Sequence, residues 1–237
     1  MHAGNGRPGF FLRQLKKLSV ELLILLAIFL ACLWILLIVA DMVFEDKNFS
    51  FDQHIFELIQ PYISDGHTRL MQFITFFGSA YFLLPANILL AGTFLFIKNY
   101  RWYSLKIAAI SITSTAVMYL LKDMLQRQRP LVPVISRVHG YSFPSGHSFS
   151  SMVFFGIIAY IAFRTIKNSW LKWIAIIFFF FLSLLIGFSR VYLKVHFASD
   201  VIAGFCLGII WLVLGRWLLI KTGSRKIPGE SDKPYSS

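Results

Sequence analysis

Apolar residues in this chain fall in long unbroken runs rather than in the alternation of a half-buried strand or the three-to-four-residue rhythm of an amphipathic helix. Six runs stand out, at roughly 20–42, 79–97, 103–121, 147–164, 172–189 and 199–220. The first contains 19 consecutive uncharged residues from Leu22 to Ala40, enough to cross a hydrocarbon core of about 30 Å as a helix. Within hydrocarbon every backbone N–H and C=O must be satisfied inside the segment or by a closed barrel, and runs without two-residue alternation do not build a barrel. The pattern therefore predicts an all-α integral membrane protein with six transmembrane helices. The third, fourth and sixth runs are short by strict count, and snorkelling ends make up their length. The second run starts near Leu70 but is interrupted by Gly78 and Ser79, with Pro85 following. A separate interfacial or re-entrant helix is therefore expected at 68–77.

Composition agrees with this picture. Hydrophobic residues make up 57% of the 237 and charged residues 14%, against about 25% charged in an ordinary soluble chain. The net charge of +12 does not imply nucleic acid, because the basic residues separate apolar runs instead of clustering on a polar face. Cys32 and Cys206 both lie inside apolar runs and read as small buried hydrophobes, without disulfide or metal. The basic residues before the first run resemble the start of a signal peptide, but no small-residue cleavage site follows.

Lys and Arg set the orientation. The N-terminal segment, the 98–106 and 164–172 loops and the segment from Arg216 onward carry 15 of them, and the opposite side carries 8. Both termini are accordingly expected in the cytoplasm. The organisation that follows is an N-terminal cytoplasmic tail (1–18), a six-helix membrane domain (19–221) and a disordered cytoplasmic tail (222–237) rich in Ser, Pro and Gly. The first outer loop, 43–68, with Glu45, Asp46, Asp52, Glu57 and Asp65, reads as a surface connection with a short amphipathic helix and no chemistry.

Three polar clusters fall on the outer side in this topology. After the third run comes KDMLQRQRP: if the helix continues past Lys122, Arg129 lies two turns on and nearly on the same face. Basic snorkelling anchors are the alternative. Before the fourth run stand Pro144, Ser145, Gly146 and His147, where a tight turn and a helix N-terminus favour an anion; a plain interfacial turn is the alternative. Between the fifth and sixth runs lie Ser189, Arg190, His196 and Asp200. His196 and Asp200 share a face if both are helical, so that the carboxylate fixes the imidazole tautomer; a helix cap by Asp200 is the alternative. Together the clusters supply three cations, an oriented histidine and a second histidine able to act as acid, which is what phosphoryl transfer asks of a protein. No carboxylate cluster suited to a two-metal site accompanies them.

The set Lys122-x6-Arg129-Pro130, Pro144-Ser145-Gly146-His147 and Ser189-Arg190-x5-His196-x3-Asp200 resembles the full tripartite signature of the phosphatidic acid phosphatase type 2 family, which shares a site with vanadium haloperoxidases. The motifs cover 122–200 without departure at any signature position. The resemblance implies that His196 attacks phosphorus to give a phosphohistidine, with Asp200 orienting it. It further implies that His147 protonates the leaving oxygen and that Lys122, Arg129, Arg190, Ser145 and Gly146 hold the phosphoryl oxygens, with no metal or other cofactor. The expected substrate is a membrane lipid phosphate or diphosphate, reached sideways from the bilayer of a bacterial inner membrane at a periplasmic or extracellular site. No nucleic-acid partner is expected, and the sequence leaves the oligomeric state open. Transfer of the phosphoryl group to another lipid headgroup needs the same residues up to the intermediate, and a non-catalytic transporter is the reading from a different class. Arg127, Arg137, Tyr141 and Lys194 are near enough for a second phosphate or headgroup. His54, His67 and His139 match no part of the signature.

Overall fold

Eight α-helices and one short 3-10 turn, with no strand, make up the regular structure among the described residues of the computed structural model, which covers 8–45, 47, 49–96, 101–136 and 138–221. The helices are α1 (Pro8–Phe44), α2 (Ser50–Ile59), α3 (Asp65–Phe76), α4 (Ala80–Phe96), α5 (Arg101–Leu125), α6 (Gly146–Thr165), α7 (Ser169–Tyr192) and α8 (Ala198–Lys221). Six stretches among these residues are long and apolar enough to cross a membrane, as the apolar runs predict.

The second of them is broken where the sequence suggested. Ser64 caps α3 by accepting from the His67 amide. Ser79 restarts the chain as α4: its hydroxyl donates to the Phe76 carbonyl at 2.7 Å and accepts from the Phe82 amide at 3.4 Å. α3 leans on α7 while α4 pairs with α5, and Ser111 of α5 donates to the Asn87 side chain of α4 at 2.7 Å. Such interhelical hydrogen bonds matter because lipid provides no hydrophobic drive for helices to associate.

Burial separates centre from rim. More than half of the Ala198–Arg216 span and half of the Gly146–Thr165 span lie inside the protein, against 11% of Val20–Phe44. α6 and α8 form the centre, with α7 and α5 around them and α1 laid along α8. Small residues permit the central crossing. A Cβ on Gly204 would sit 2.7 Å from the Ser145 carbonyl oxygen, and one on Gly208 would sit 2.8 Å from Met152 Cβ. Gly204 and Gly208 thus form a small-xxx-small stripe that brings the N-terminal halves of α6 and α8 together. On the outside, Leu23, Trp34, Leu84, Ile88, Ile112 and Phe178 are all more than half exposed, an apolar belt suited to lipid. Cys32 and Cys206 are free thiols that meet across the α1–α8 contact.

Candidate active site

All three polar clusters meet at one end of the bundle. They occupy the end of α5 and the segment after it, the start of α6, the end of α7 and the turn into α8. The Ser145 amide donates to the Asp200 carbonyl at 2.9 Å, which ties the second cluster to the third.

His196 lies in the bend before α8 rather than on it, so its pairing with Asp200 does not come from a shared helix face. Asp200, in the first turn of α8, accepts from the Phe197 amide at 2.9 Å and from His196 Nδ1 at 3.3 Å through the same Oδ2. The cap and the imidazole partner, alternatives in the sequence, are one carboxylate used twice. Ser142 Oγ also donates to Oδ2. With the Nδ1 proton assigned to Asp200, Nε2 carries the lone pair and accepts from Arg129 Nη1 at 3.1 Å. Burial pushes the imidazole down to about 4 against the raising influence of Asp200, with Arg129 and Arg190 adding to the depression. A neutral, oriented imidazole at neutral pH follows.

Arg129 reaches this nitrogen from an irregular segment. α5 stops at Leu125, and Gln126 turns into the left-handed region at φ 47°. The continuing helix considered from sequence is therefore absent, and Arg129 is aimed by carbonyls: Nε donates to Gly140 at 2.9 Å and Nη1 to Val195 at 2.7 Å. Burial lowers the Arg129 pKa, with Asp200 opposing. Lys122, still on α5, donates to the Tyr141 carbonyl at 2.6 Å, and its Cε passes 3.9 Å from where a Gly146 Cβ would stand. Arg190, 5% exposed, donates from Nη1 to Thr75 Oγ1 at 3.0 Å, while its Nε is buried with no hydrogen-bond partner among the described residues.

Ser145 is the N-cap of α6, accepting from the Ser148 amide and from Ser148 Oγ at 2.9 Å. Both acceptor positions are then used, leaving its proton as what it can offer an oxyanion. His147 follows in the first turn of α6, within electrostatic reach of His196, Arg190, Arg129 and Lys122. Its ring closes against the α3–α4 corner, where a Cβ on Gly78 would come within 3.2 Å of Cδ2. The break between α3 and α4 therefore forms a wall of the site.

Among the residues noted near the site, Arg127 is corrected. It is 8% exposed and paired with two buried carboxylates, Asp200 at 2.5 Å and Asp52 at 2.7 Å, so it does not face a headgroup. Asp52, assigned no chemistry from sequence, is fully buried and also receives the Ser199 amide at 2.9 Å and the Ser199 hydroxyl at 2.6 Å. Tyr141 contributes its carbonyl, and Arg137 lies outside the described residues. Lys194 donates to Gln60 at 2.5 Å and, with Arg129 and Gln128, lines an open cleft of about 240 Å³. His54, His67 and His139 are exposed. No group of three or more His, Cys, Asp or Glu able to hold a metal occurs among the described residues.

Residues 103–223 match the family model described as PAP2 superfamily. The chain is 33% identical over 157 residues to a phosphatidylglycerophosphatase B of Bacillus subtilis, covering 65% of this chain and 74% of that one. It is 28% identical over 191 residues to an undecaprenyl-diphosphatase of Sulfolobus acidocaldarius, covering 78% and 84%. Among solved structures, a transmembrane PAP2-type phosphatidylglycerolphosphate phosphatase from Bacillus subtilis superposes with a TM-score of 0.76 at 27% identity, over 84% of this chain and 98% of that one.

Proposed function

The chain belongs to the PAP2 superfamily, and from that premise we propose that it is a membrane lipid phosphatase working through a phosphohistidine on His196. The observation that carries the reading is the His196 imidazole. Its Nδ1 is engaged by Asp200 and its Nε2 lone pair faces Arg129, with Lys122, Arg190 and His147 gathered at the same end of the bundle.

The phosphoryl oxygens take the place of the carbonyl and imidazole partners now held by Arg129 and Lys122, and accept from the free Nε–H of Arg190. Nε2 then forms the N–P bond as the P–O bond to the lipid breaks, and His147 gives its proton to the departing oxygen. The Asp200 carboxylate offsets the charge that appears on the imidazole. Water attacks the phosphohistidine next, with His147 accepting the proton and free phosphate leaving. Every charge in these steps is met by a side chain of the chain itself, so the chemical step proceeds without a metal.

His147 lies against the α3–α4 corner, so the lipid leaving group stands on that side, with its tail toward the apolar belt. The Lys and Arg distribution supports cytoplasmic termini and a site on the outer face of a bacterial inner membrane. The relatives support a glycerophospholipid phosphate or a polyprenyl diphosphate as substrate.

The test is phosphate release by detergent-purified protein in excess chelator from phosphatidic acid, phosphatidylglycerol phosphate and a polyprenyl diphosphate, beside His196→Ala. Release by the wild type and a drop of about a thousandfold or more in the variant are expected. Activity that requires added divalent metal, or that survives in His196→Ala, would overturn the reading. Recovery of labelled phosphorus as free phosphate separates hydrolysis from transfer.

A further inference from the structure

Asp200 is gripped on both oxygens. Oδ2 serves His196, Phe197 and Ser142, while Oδ1 receives Arg127 Nη1 at 2.5 Å. Were Arg127 and Asp200 alone, they would form a neutral buried pair, and the carboxylate would have little charge left for the histidine. They are not alone: Arg127 Nη2 donates to Asp52 at 2.7 Å, nearly the same distance as its contact with Asp200. Coulomb attraction scales inversely with distance, so the guanidinium is shared between the two carboxylates about equally.

We propose that Asp52, brought from α2 to the base of α8, is a positioning residue of the phosphatase site: it occupies Arg127 so that Asp200 is held in place yet keeps negative charge for His196. The inference rests on the function proposed above. In the resting site Asp52, Arg127 and Asp200 sum to one negative charge. When His196 bonds to phosphorus and becomes cationic, the four groups sum to zero. Remove the Asp52 charge and the trio is neutral beforehand, so the cationic imidazole is added to a site that already holds Arg129, Arg190 and Lys122. The packing supports a dedicated arrangement. Arg127 is stacked 4.1 Å over the Phe197 ring and bonds Ser199 Oγ at 2.7 Å. Asp52 Oδ1 accepts from the Ser199 amide, one residue before Asp200. A buried ion network is often no more stabilising than well-packed hydrophobic residues of the same volume, and its better-attested uses are in specifying geometry.

The experiment is a double-mutant cycle on full-length protein, using whichever of the three lipids above the wild type hydrolyses fastest. Asp52→Asn keeps the shape and removes the charge, and kcat is expected to fall by about 10- to 100-fold with KM changed less than about threefold. Asp52→Asn with Arg127→Gln removes both charges, returns Asp200 to a net negative site, and is expected to recover at least about tenfold over Asp52→Asn. A purely structural role for the pair predicts the opposite, a double variant no better than the single. Wild-type kcat in Asp52→Asn, or no recovery in the double variant, overturns the proposal. If Asp52→Asn does not fold, the double variant, in which Asp200 loses Arg127 but keeps its bonds from His196, Phe197 and Ser142, decides together with its melting temperature: where it folds it should stay within about tenfold of wild type in kcat, and a loss of about a hundredfold in a folded double variant refutes. Orthovanadate binding by calorimetry should follow the same order without turnover. Failure of the lipid-phosphatase reading, seen in the wild type and His196→Ala, is thereby distinguishable from failure of this one.

Discussion

His196 has the most consequential surroundings of any single residue. An unfolded histidine titrates near 6.5, whereas burial holds this one down to about 4. Between those values the unfolded chain binds a proton that the folded chain does not, so stability falls as pH drops through this window and levels off below it. Above about 6.5 the full contribution is present. The expected slope is at most about 1.4 kcal/mol per pH unit for one proton. Comparing urea midpoints of wild type and His196→Gln from pH 7 to pH 4 isolates it: the wild type should lose ground relative to the variant as the pH falls. Parallel curves would mean that the imidazole charges inside the folded protein as readily as outside. Single residues were also where the sequence spoke most clearly. Lys122, Arg129, His147, Arg190, His196 and Asp200 are recognisable because their spacing is local to three short motifs. Asp52 was not recognisable, because one acid among five in the 43–68 segment is singled out only by an arginine 75 positions on. Ser142 and Thr75 were hidden for the same reason.

At the scale of elements, the site depends on how closely α6 approaches α8. The Ser145 carbonyl and the Ser148 side chain stand where a Gly204 side chain would have to go. Gly204→Ala should therefore lower the melting temperature in detergent by an amount corresponding to about 1–3 kcal/mol, the usual cost of overpacking. It should also reduce activity, because the displaced backbone carries Ser145 and His147. Gly92→Ala is the matched control, since a Cβ there meets nothing within 4 Å, and it should change neither quantity. Equal behaviour of the two variants would show that the helices have slack at the crossing. Hydrophobic runs announced these helices and even the break at Gly78, but not the crossing, because a glycine in an apolar run reads the same whether it faces lipid or another helix. The end of α5 stays open in the sequence for a related reason. The stop signal in KDMLQRQRP is Pro130, but α5 already ends at Leu125, where Gln126 takes a left-handed conformation and Arg127 and Arg129 turn to different partners, one toward buried carboxylates and the other toward His196.

Across the whole molecule, function requires that a water-exposed phosphate and a lipid tail reach the same point. The geometry places His196 at one end of the bundle, while the Glu21–Arg216 ion pair ties the start of the first span to the end of the sixth at the other. Six crossings make this arrangement unavoidable, whichever way the protein is inserted. What insertion decides is which leaflet supplies substrate, and the excess of Lys and Arg on the end away from the site argues for the outer leaflet. Two exposed positions read this directly: Leu131, beside the cleft at Arg129, and Lys167, in the turn between α6 and α7. Cys32 and Cys206 are buried and leave a low background. In intact cells Leu131→Cys should react with a membrane-impermeant maleimide, whereas Lys167→Cys should react only after permeabilisation. The reverse pattern would put the site in the cytoplasm and its substrates in the inner leaflet, leaving the chemistry at His196 unchanged and changing which lipids the protein can meet.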